Sequence, residues 1–337
     1  MPIAFTVITP CYNCRRYLPE TVTALSLQTH LPAEWLFVDN GSTDGSAEYI
    51  ESIARRLPFP VRVLRESRRG PSAARNRAIR EAQSEWIAFL DADDLWIPHK
   101  LERQVEYLQS HPETDLLFSD VWHMDSDGRP FKRTGPFSPK CITLERVFLE
   151  NIIYTSSVVV RRHCLAEEGG FCEDIIHGED LELWIRLLAR YRIGYMPEPL
   201  AAWRTHSGSL MESSQHYADQ IELSRQLVQR VPTLAPWQKR RDAMVWYGLG
   251  RRFFLSRGEH AQARSAFWKA TRLWPSLTKA WKWWLLSWLS HAQVRRLLER
   301  FEFHALSGAM CDYTLPVPVP PFGPLQSEGG LQHPGAL

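Results

Sequence analysis

The chain has 337 residues, 44% of them hydrophobic and 23% charged, with a formal net charge of +2. That length fits one large or two modest domains with real cores, and the near-neutral charge gives no footprint for nucleic acid. No apolar run reaches the ~18–20 uncharged residues of a spanning helix. Met1 leads almost directly into a strand-like run, without the basic region of a secretory leader. A cytoplasmic protein, soluble or peripheral, is therefore expected. The six Cys (11, 14, 141, 164, 172 and 311) are read as thiols in a reducing compartment.

Ile3 to Ile8 is a short apolar run of the kind that forms a buried strand. Tyr17 to Gln28 follows with helical spacing. Trp35 to Val38 predicts a second strand, Thr43 to about Leu57 a helix, Val61 to Leu64 a third strand and Ser72 to Ala82 an Ala-rich helix. Trp86 to Leu90 predicts a strand, Pro98 to Gln109 a helix with Pro in its first turn, and Asp115 to Val121 another strand. Strands alternating with helices through short connections predict a mostly parallel sheet covered by helices, an α/β fold. The Gly-, Pro- and charge-rich stretch Asp125 to Pro139 reads as a loop. A strand over Ile153 to Arg161, a helix over Asp180 to Tyr191 and an extended segment over Tyr195 to Trp203 complete a first domain, placed at 1–212.

Ligands of a doubly wound sheet bind at the carboxyl ends of its strands. Thr9-Pro10-Cys11-Tyr12-Asn13 ends the first strand without a Gly-x-Gly-x-x-Gly turn, which removes a dehydrogenase-type dinucleotide site. Tyr12 suits stacking on a base and equally suits a plain turn. Cys11-x-x-Cys14 has no second pair with which to hold zinc. Asp39 ends the second strand, where a carboxylate accepts hydrogen bonds from ribose hydroxyls or a base N–H; Asp44 reads as a helix cap. Gly70 precedes a helix start near Arg68, Arg69, Arg75 and Asn76, a setting that suits a diphosphate.

Asp91-Ala92-Asp93-Asp94 ends the fourth strand. Three carboxylates this close repel one another unless a cation sits among them. Oxygen ligands point to Mg²⁺ or Mn²⁺ shared with substrate phosphates. The plain alternative is an acidic helix start. Glu179-Asp180 opens a later apolar helix, where the helix dipole favours negative charge and a general base is the functional alternative. His206 is a candidate to complete the metal shell.

These segments, in this order, resemble glycosyltransferase family 2. The family's Pro-x-Tyr-Asn corresponds to Pro10 to Asn13, and its Asp-Asn/Asp-Gly-Ser-Thr-Asp-Gly-Ser to Asp39 through Ser46. Ala-Arg-Asn corresponds to Ala74 to Asn76, Asp-Ala-Asp-Asp to Asp91 to Asp94, and Glu-Asp-x-x-Leu-Trp-x-Arg to Glu179 through Arg186. The resemblance covers about residues 3–210. It implies a GT-A fold and inverting transfer of one sugar from a nucleoside-diphosphate sugar, a UDP-sugar first, to a glycan or lipid-linked acceptor in bacterial surface or exopolysaccharide assembly. It implies donor contacts at Pro10, Tyr12, Asn13, Asp39, Asn40, Ser42, Arg75, Asn76 and Asp91. Asp93, with Asp91 and His206, would bind Mn²⁺ or Mg²⁺. Asp180 would be the base, with Glu179 the alternative. The Gln-x-x-Arg-Trp motif of processive synthases is absent. A nucleotidyltransferase would want a Gly- and basic-rich loop after the first strand, and a non-catalytic helical scaffold leaves the carboxylates unexplained.

Beyond residue 212 the chain is helical in pattern. Trp246, Leu249, Gly250 and Phe253, then Gly258, Ala263, Phe267, Ala270 and Pro275, loosely resemble one tetratricopeptide unit. Residues 213–311 are read as a helical region and 312–337 as a Pro/Gly-rich disordered tail. Lys279 to Arg300 is Trp-rich with basic neighbours. It suits a helix lying in the cytoplasmic interface of the inner membrane, and it equally suits a helix packing its Trp on Trp246, Phe253 and Phe267.

Overall fold

A computed structural model describes residues 2–206, 215–255, 258–290, 293, 294 and 296. Its centre is a nine-stranded sheet. The strands are β1 (Phe5–Cys11), β2 (Glu34–Asp39), β3 (Val61–Arg65), β4 (Trp86–Phe89), β5 (Leu95–Trp96), β6 (Leu116–Met124), β7 (Pro130–Arg133), β8 (Val159–Arg161) and β9 (Ile193–Arg204). Their spatial order is β3-β2-β1-β4-β8-β6-β9-β5, with β7 paired to β6. The β3-β2-β1-β4 half is parallel, β8 lies antiparallel between β4 and β6, and β6 runs parallel to β9.

Both faces of the sheet are covered, which is why its strands read as continuous apolar runs rather than alternating ones. On one face Ile8, Leu36, Val38, Phe89 and Phe118 pack against α3 (Pro71–Glu81), α5 (Leu144–Leu149) and α7 (Glu179–Arg190). On the other, Phe5, Val7, Trp35 and Phe37 pack against α1 (Leu18–Ser26), α2 (Ser46–Ile53) and α4 (Lys100–Ser110). A short helix, α6 (Arg162–Glu167), follows β8.

Two stretches differ from the expectation. Asp125 to Pro139 contains a strand: Asp125 accepts the N–H groups of Asp127 and Arg129, and that turn folds β7 back onto β6. Its polar composition hid a solvent-edge strand. Ile153 to Arg161 is not continuous; Thr155–Ser157 forms a 3₁₀ turn before β8, and its hydroxyls serve the site below.

The domain boundary expected at 212 falls outside the described residues, as do the tail at 312–337 and most of 291–300. Helix α8 (Gln215–Arg230) places Leu223 and Leu227 in the same core as the α7 face of the sheet. A separate cluster joins α9 (Gln238–Leu255), α10 (His260–Leu273) and α11 (Thr278–Leu286) around Ala243, Phe254, Phe267 and Trp283. The side chain of Arg241 on α9 donates to the Phe148 carbonyl, tying this layer to α5.

Candidate functional site

The strand order reverses between β1 and β4, so the crevice beyond their carboxyl ends is where a ligand is expected in such a sheet. Tyr12, just past β1, is 50% exposed, with the Arg69 guanidinium 5.8 Å from its ring centroid. Pro10 lies beyond the last rung shared by β1 and β4, where its missing N–H costs no ladder bond. Asp39 is buried at the end of β2; its Oδ1 accepts the Ser42 N–H at 3.1 Å, and Arg65 stands 3.7 Å from Oδ2.

The remaining residues expected to hold the donor are partly engaged by the fold. Asn13 sits at φ 53 and accepts from the Thr43 N–H at 2.8 Å, while its own N–H donates to Ser42 Oγ at 3.0 Å. These bonds lock the turns after β1 and β2 together. Asn40 donates to the carbonyls of Glu66 and Arg68 and accepts from the Gly70 N–H, shaping the approach to α3. Asn76 donates to the Phe171 carbonyl and Glu173 and accepts from the Phe171 N–H, all near 2.8 Å. Its amide is occupied in pinning the 171–173 segment.

Arg75 is the hinge of the site. It is 4% exposed, and its fork donates to Asp91 Oδ1 at 2.7 Å and to Glu179 Oε1 at 3.0 Å. The carboxyl end of β4 is thereby joined to the start of α7. Asp180 accepts from Asn151 Nδ2 at 2.8 Å and from the Leu181 N–H at 2.7 Å. Gly178, at φ 87, makes the turn that opens α7. Arg75, Asp91, Asp94, Glu179 and Asp180 line one cavity of about 280 Å³, together with Tyr154, Trp203, His177 and His216.

Burial sets the proton affinities here. It pushes the Glu179 carboxyl up to about 7, aided by the Asp180 charge and opposed by Arg75. Burial also raises Asp180, against the hydrogen bonds that hold its charged form. Asp94 is raised well above the carboxylate range by burial and then by Asp93 and Asp91.

The three-carboxylate run is sorted by its surroundings. Asp91 is held by Arg75, and its N–H donates to Ser156 Oγ at 3.0 Å. Asp93 Oδ2 lies 2.8 Å from His206 Nε2. Asp94 accepts from Ser156 Oγ at 2.5 Å and from the Arg204 N–H at 2.9 Å. Arg204, fully buried, also donates to the Asp93 carbonyl and to Glu20. The expectation that only a bound cation relieves this cluster is corrected in part, because Arg75 supplies one such charge from within the chain.

Asp93 and His206 reach each other from the segments that follow β4 and β9, with side chains 27% and 17% exposed. A carboxylate oxygen and an imidazole nitrogen in contact on a partly open surface fit a hard divalent cation whose other positions go to phosphate oxygens and water. Among the described residues, Asp115, His163 and Cys164 are the trio whose ligand atoms all fall within 4.8 Å of one another; Asp91, Asp93 and His206 are more spread.

Several residues of the site carried no signal in the sequence. Asn151 and Ser156 come from an irregular stretch, Arg204 from an extended one, and Tyr154 and Trp203 belong to no motif. His177 has its Nδ1 2.6 Å from Asp219 on α8, a pairing 42 residues apart in sequence.

Comparison with known proteins bears on this arrangement. The family described as Glycosyl transferase family 2 matches residues 6–159. TuaG of Bacillus subtilis, named for teichuronic acid biosynthesis, is 33% identical over 213 residues, which is 61% of this chain and 80% of its own length. An uncharacterized glycosyltransferase of Methanocaldococcus jannaschii is 28% identical over 206 residues, 60% of this chain and 71% of its own. Among solved structures, S. aureus TarS 1–349 in complex with UDP-GlcNAc superposes with a TM-score of 0.57 at 21% identity, over 80% of this chain and 81% of its own. The mannosyltransferase PcManGT of Pyrobaculum calidifontis, in complex with GDP-Man and Mn²⁺, gives 0.53 at 22% identity, over 88% and 80%. At these identities the two structures speak for the GT-A fold alone.

Proposed function

This chain belongs to glycosyltransferase family 2, and from that membership we propose that it transfers one sugar, with inversion, from a nucleoside-diphosphate sugar to an acceptor hydroxyl. A UDP-sugar is the donor proposed first, and the acceptor is a glycan or lipid-linked glycan of a bacterial surface polysaccharide. The observation that carries this reading is the cavity itself. Asp180, on α7, and Asp91, at the end of β4, line the same space and are linked through Glu179 and Arg75.

Each residue has a task in that reaction. The nucleoside lies along Tyr12 and Asp39, the first as an exposed ring for a base and the second as an acceptor for hydroxyls or a base N–H. Asp180 removes the proton from the acceptor oxygen as that oxygen attacks the anomeric carbon, which is general-base catalysis. Its two donors, Asn151 and the Leu181 N–H, fix the carboxylate while leaving lone pairs toward the cavity. Its raised proton affinity brings it nearer to the working pH. Arg75 has both arms on carboxylates, so it acts by positioning Asp91 and Glu179 rather than by gripping phosphate. Asp93 and His206, with Asp91 beside them, would hold Mn²⁺ or Mg²⁺, which supplies charge for the departing nucleoside diphosphate. Tyr154 and Trp203, which line the same cavity, give the acceptor an aromatic surface.

Asp180→Asn tests this. It keeps the shape and one of the two acceptor oxygens but cannot take a proton. Transfer should drop by about 100- to 10,000-fold, the range of a lost general base, while donor binding by titration calorimetry stays near wild type. Wild-type turnover in this variant would reject Asp180 as the base.

A further inference from the structure

The structure answers the two readings of the Trp-rich segment by dividing its residues. Trp283 is 2% exposed and packs against Phe254 and Phe267, so α11 is anchored in the C-terminal core. Trp268, Trp281, Leu285 and Trp288 remain 43%, 37%, 61% and 64% exposed. They are half of the eight large hydrophobic side chains exposed among the described residues; the others, Tyr12, Leu27, Leu31 and Ile176, lie in other parts of the chain. The indoles touch in series: Trp268 to Trp281 at 6.0 Å, Trp268 to Trp284 at 5.7 Å, Trp281 to Trp284 at 6.1 Å and Trp284 to Trp288 at 6.2 Å. They form one aromatic ridge across α10 and the end of α11.

The segment that carries the ridge is basic in sequence. From His260 to Ser290 the chain has five Lys and Arg and no Asp or Glu. Arg264, Trp268 and Arg272 stand four residues apart and share one stripe of α10. Arg264 lies 4.4 Å from the Trp288 ring. Lys269, whose Nζ lies 4.0 Å from the Trp246 ring centroid, and Lys282 are exposed neighbours of Trp268 and Trp281.

We propose that this ridge docks the enzyme on an anionic lipid bilayer, with Trp268, Trp281, Leu285 and Trp288 in the headgroup region and Lys269, Arg272 and Lys282 against acidic headgroups. Soluble monomers rarely expose a contiguous apolar patch of this kind. Indoles prefer the interface, where an apolar ring and a polar N–H are both satisfied. A protein partner is disfavoured by the Lys, a residue depleted in protein interfaces. A neutral polysaccharide is disfavoured because the basic residues beside the ridge would be left without anionic partners. The inference goes beyond the proposed reaction and does not depend on which residue is the base.

The full chain is mixed with vesicles of phosphatidylcholine alone or with a third of phosphatidylglycerol, and flotation and Trp emission are followed. Binding to the anionic vesicles, with a blue shift, is expected, and much weaker binding to the neutral ones. Trp288→Glu combined with Leu285→Glu should abolish flotation. Lys269→Glu, Arg272→Glu and Lys282→Glu together should weaken binding by roughly 100-fold, from the contribution of each headgroup-facing cation. These exposed positions lie away from the site, so donor hydrolysis in solution should be unchanged in both variants, which separates failure of docking from failure of the catalytic reading. The proposal is overturned if the wild type does not float with anionic vesicles at low salt, or if the Glu variants float as well as the wild type. It is equally overturned if the ridge binds an acidic polysaccharide or a second copy of the chain instead.

Discussion

Glu179→Gln should change how the stability of the ligand-free protein depends on pH. Glu179 is largely buried, its side chain 12% exposed, and its surroundings push the carboxyl up to about 7 from an ordinary 4.5. The folded state therefore holds this proton more tightly than the unfolded chain does. The stabilisation is fully present below about 4.5 and is lost as pH rises through about 7. The interval corresponds to roughly 3 kcal/mol at 1.36 kcal/mol per pH unit. Gln has the same shape, accepts from Arg75 and cannot titrate, so the variant lacks this fall. Its neutrality also makes Asp180 easier to ionise, which acts in the same direction. His123 and His216, both lowered to about 4 by burial, gain stability as pH rises toward 6.5, but they are common to both proteins and cancel in the difference. Urea midpoints followed by Trp fluorescence at pH 5, 6, 7 and 8 give that difference directly. The wild type should lose ground to the variant by up to roughly 3 kcal/mol across the series. A difference that is flat, or that rises with pH, would refute the assignment of a raised carboxyl to this position.

The proposed cation predicts that exhaustive chelation stops transfer and that Mn²⁺ or Mg²⁺ restores it; full activity after chelation removes that role. His206→Ala should raise the half-saturating Mn²⁺ concentration at least about tenfold, the lower bound seen when a ligand's supporting partner is lost, and an unchanged value would detach His206 from the metal. Gly170 sits at φ 74, and a Cβ there would lie 2.4 Å from Asn76 Oδ1. Gly170→Ala should therefore cost about 1–3 kcal/mol in a denaturant melt; a neutral result would mean that the 171–173 segment does not depend on Asn76.

The parallel half of the fold was legible because two-faced burial writes itself as apolar runs at Phe5, Trp35 and Trp86, separated by helical spacing. The candidate positions at Asp39, Asp91 and Glu179-Asp180 stand out in the sequence as polar residues where apolar runs stop. What the sequence withheld was the partner of each. Asn40 and Asn76 look like ligand contacts in a list of polar residues, yet their amides are consumed by backbone groups at 66–70 and 171–173. Asn151, Ser156 and Arg204 have no periodicity to betray them, because each bonds across 29 or more residues to a carboxylate or its backbone. β7 was hidden for a different reason: an edge strand facing solvent needs no apolar alternation.

The Asp91-Ala92-Asp93-Asp94 run shows how distant groups give adjacent identical residues different work. Asp91 and Asp93 keep side chains 28% and 27% exposed, whereas Asp94 is 1% exposed with both oxygens bonded. Burial beside two other carboxylates raises the proton affinity of Asp94, against the Ser156 and Arg204 hydrogen bonds that hold its charged form. Its Arg204 N–H contact then fastens the carboxyl end of β4 to β9, and the Arg204 side chain returns to the Asp93 carbonyl. β9 delivers His206 two residues later. The separation of Asp93 and His206 is thus governed by the pairing of Leu95 with Ala202 and Trp96 with Ala201, and not by the motif itself. A disturbance of that short β5–β9 ladder should loosen the Asp93–His206 pair while leaving the Arg75–Asp91–Glu179 link intact, since the latter is held from α3 and α7.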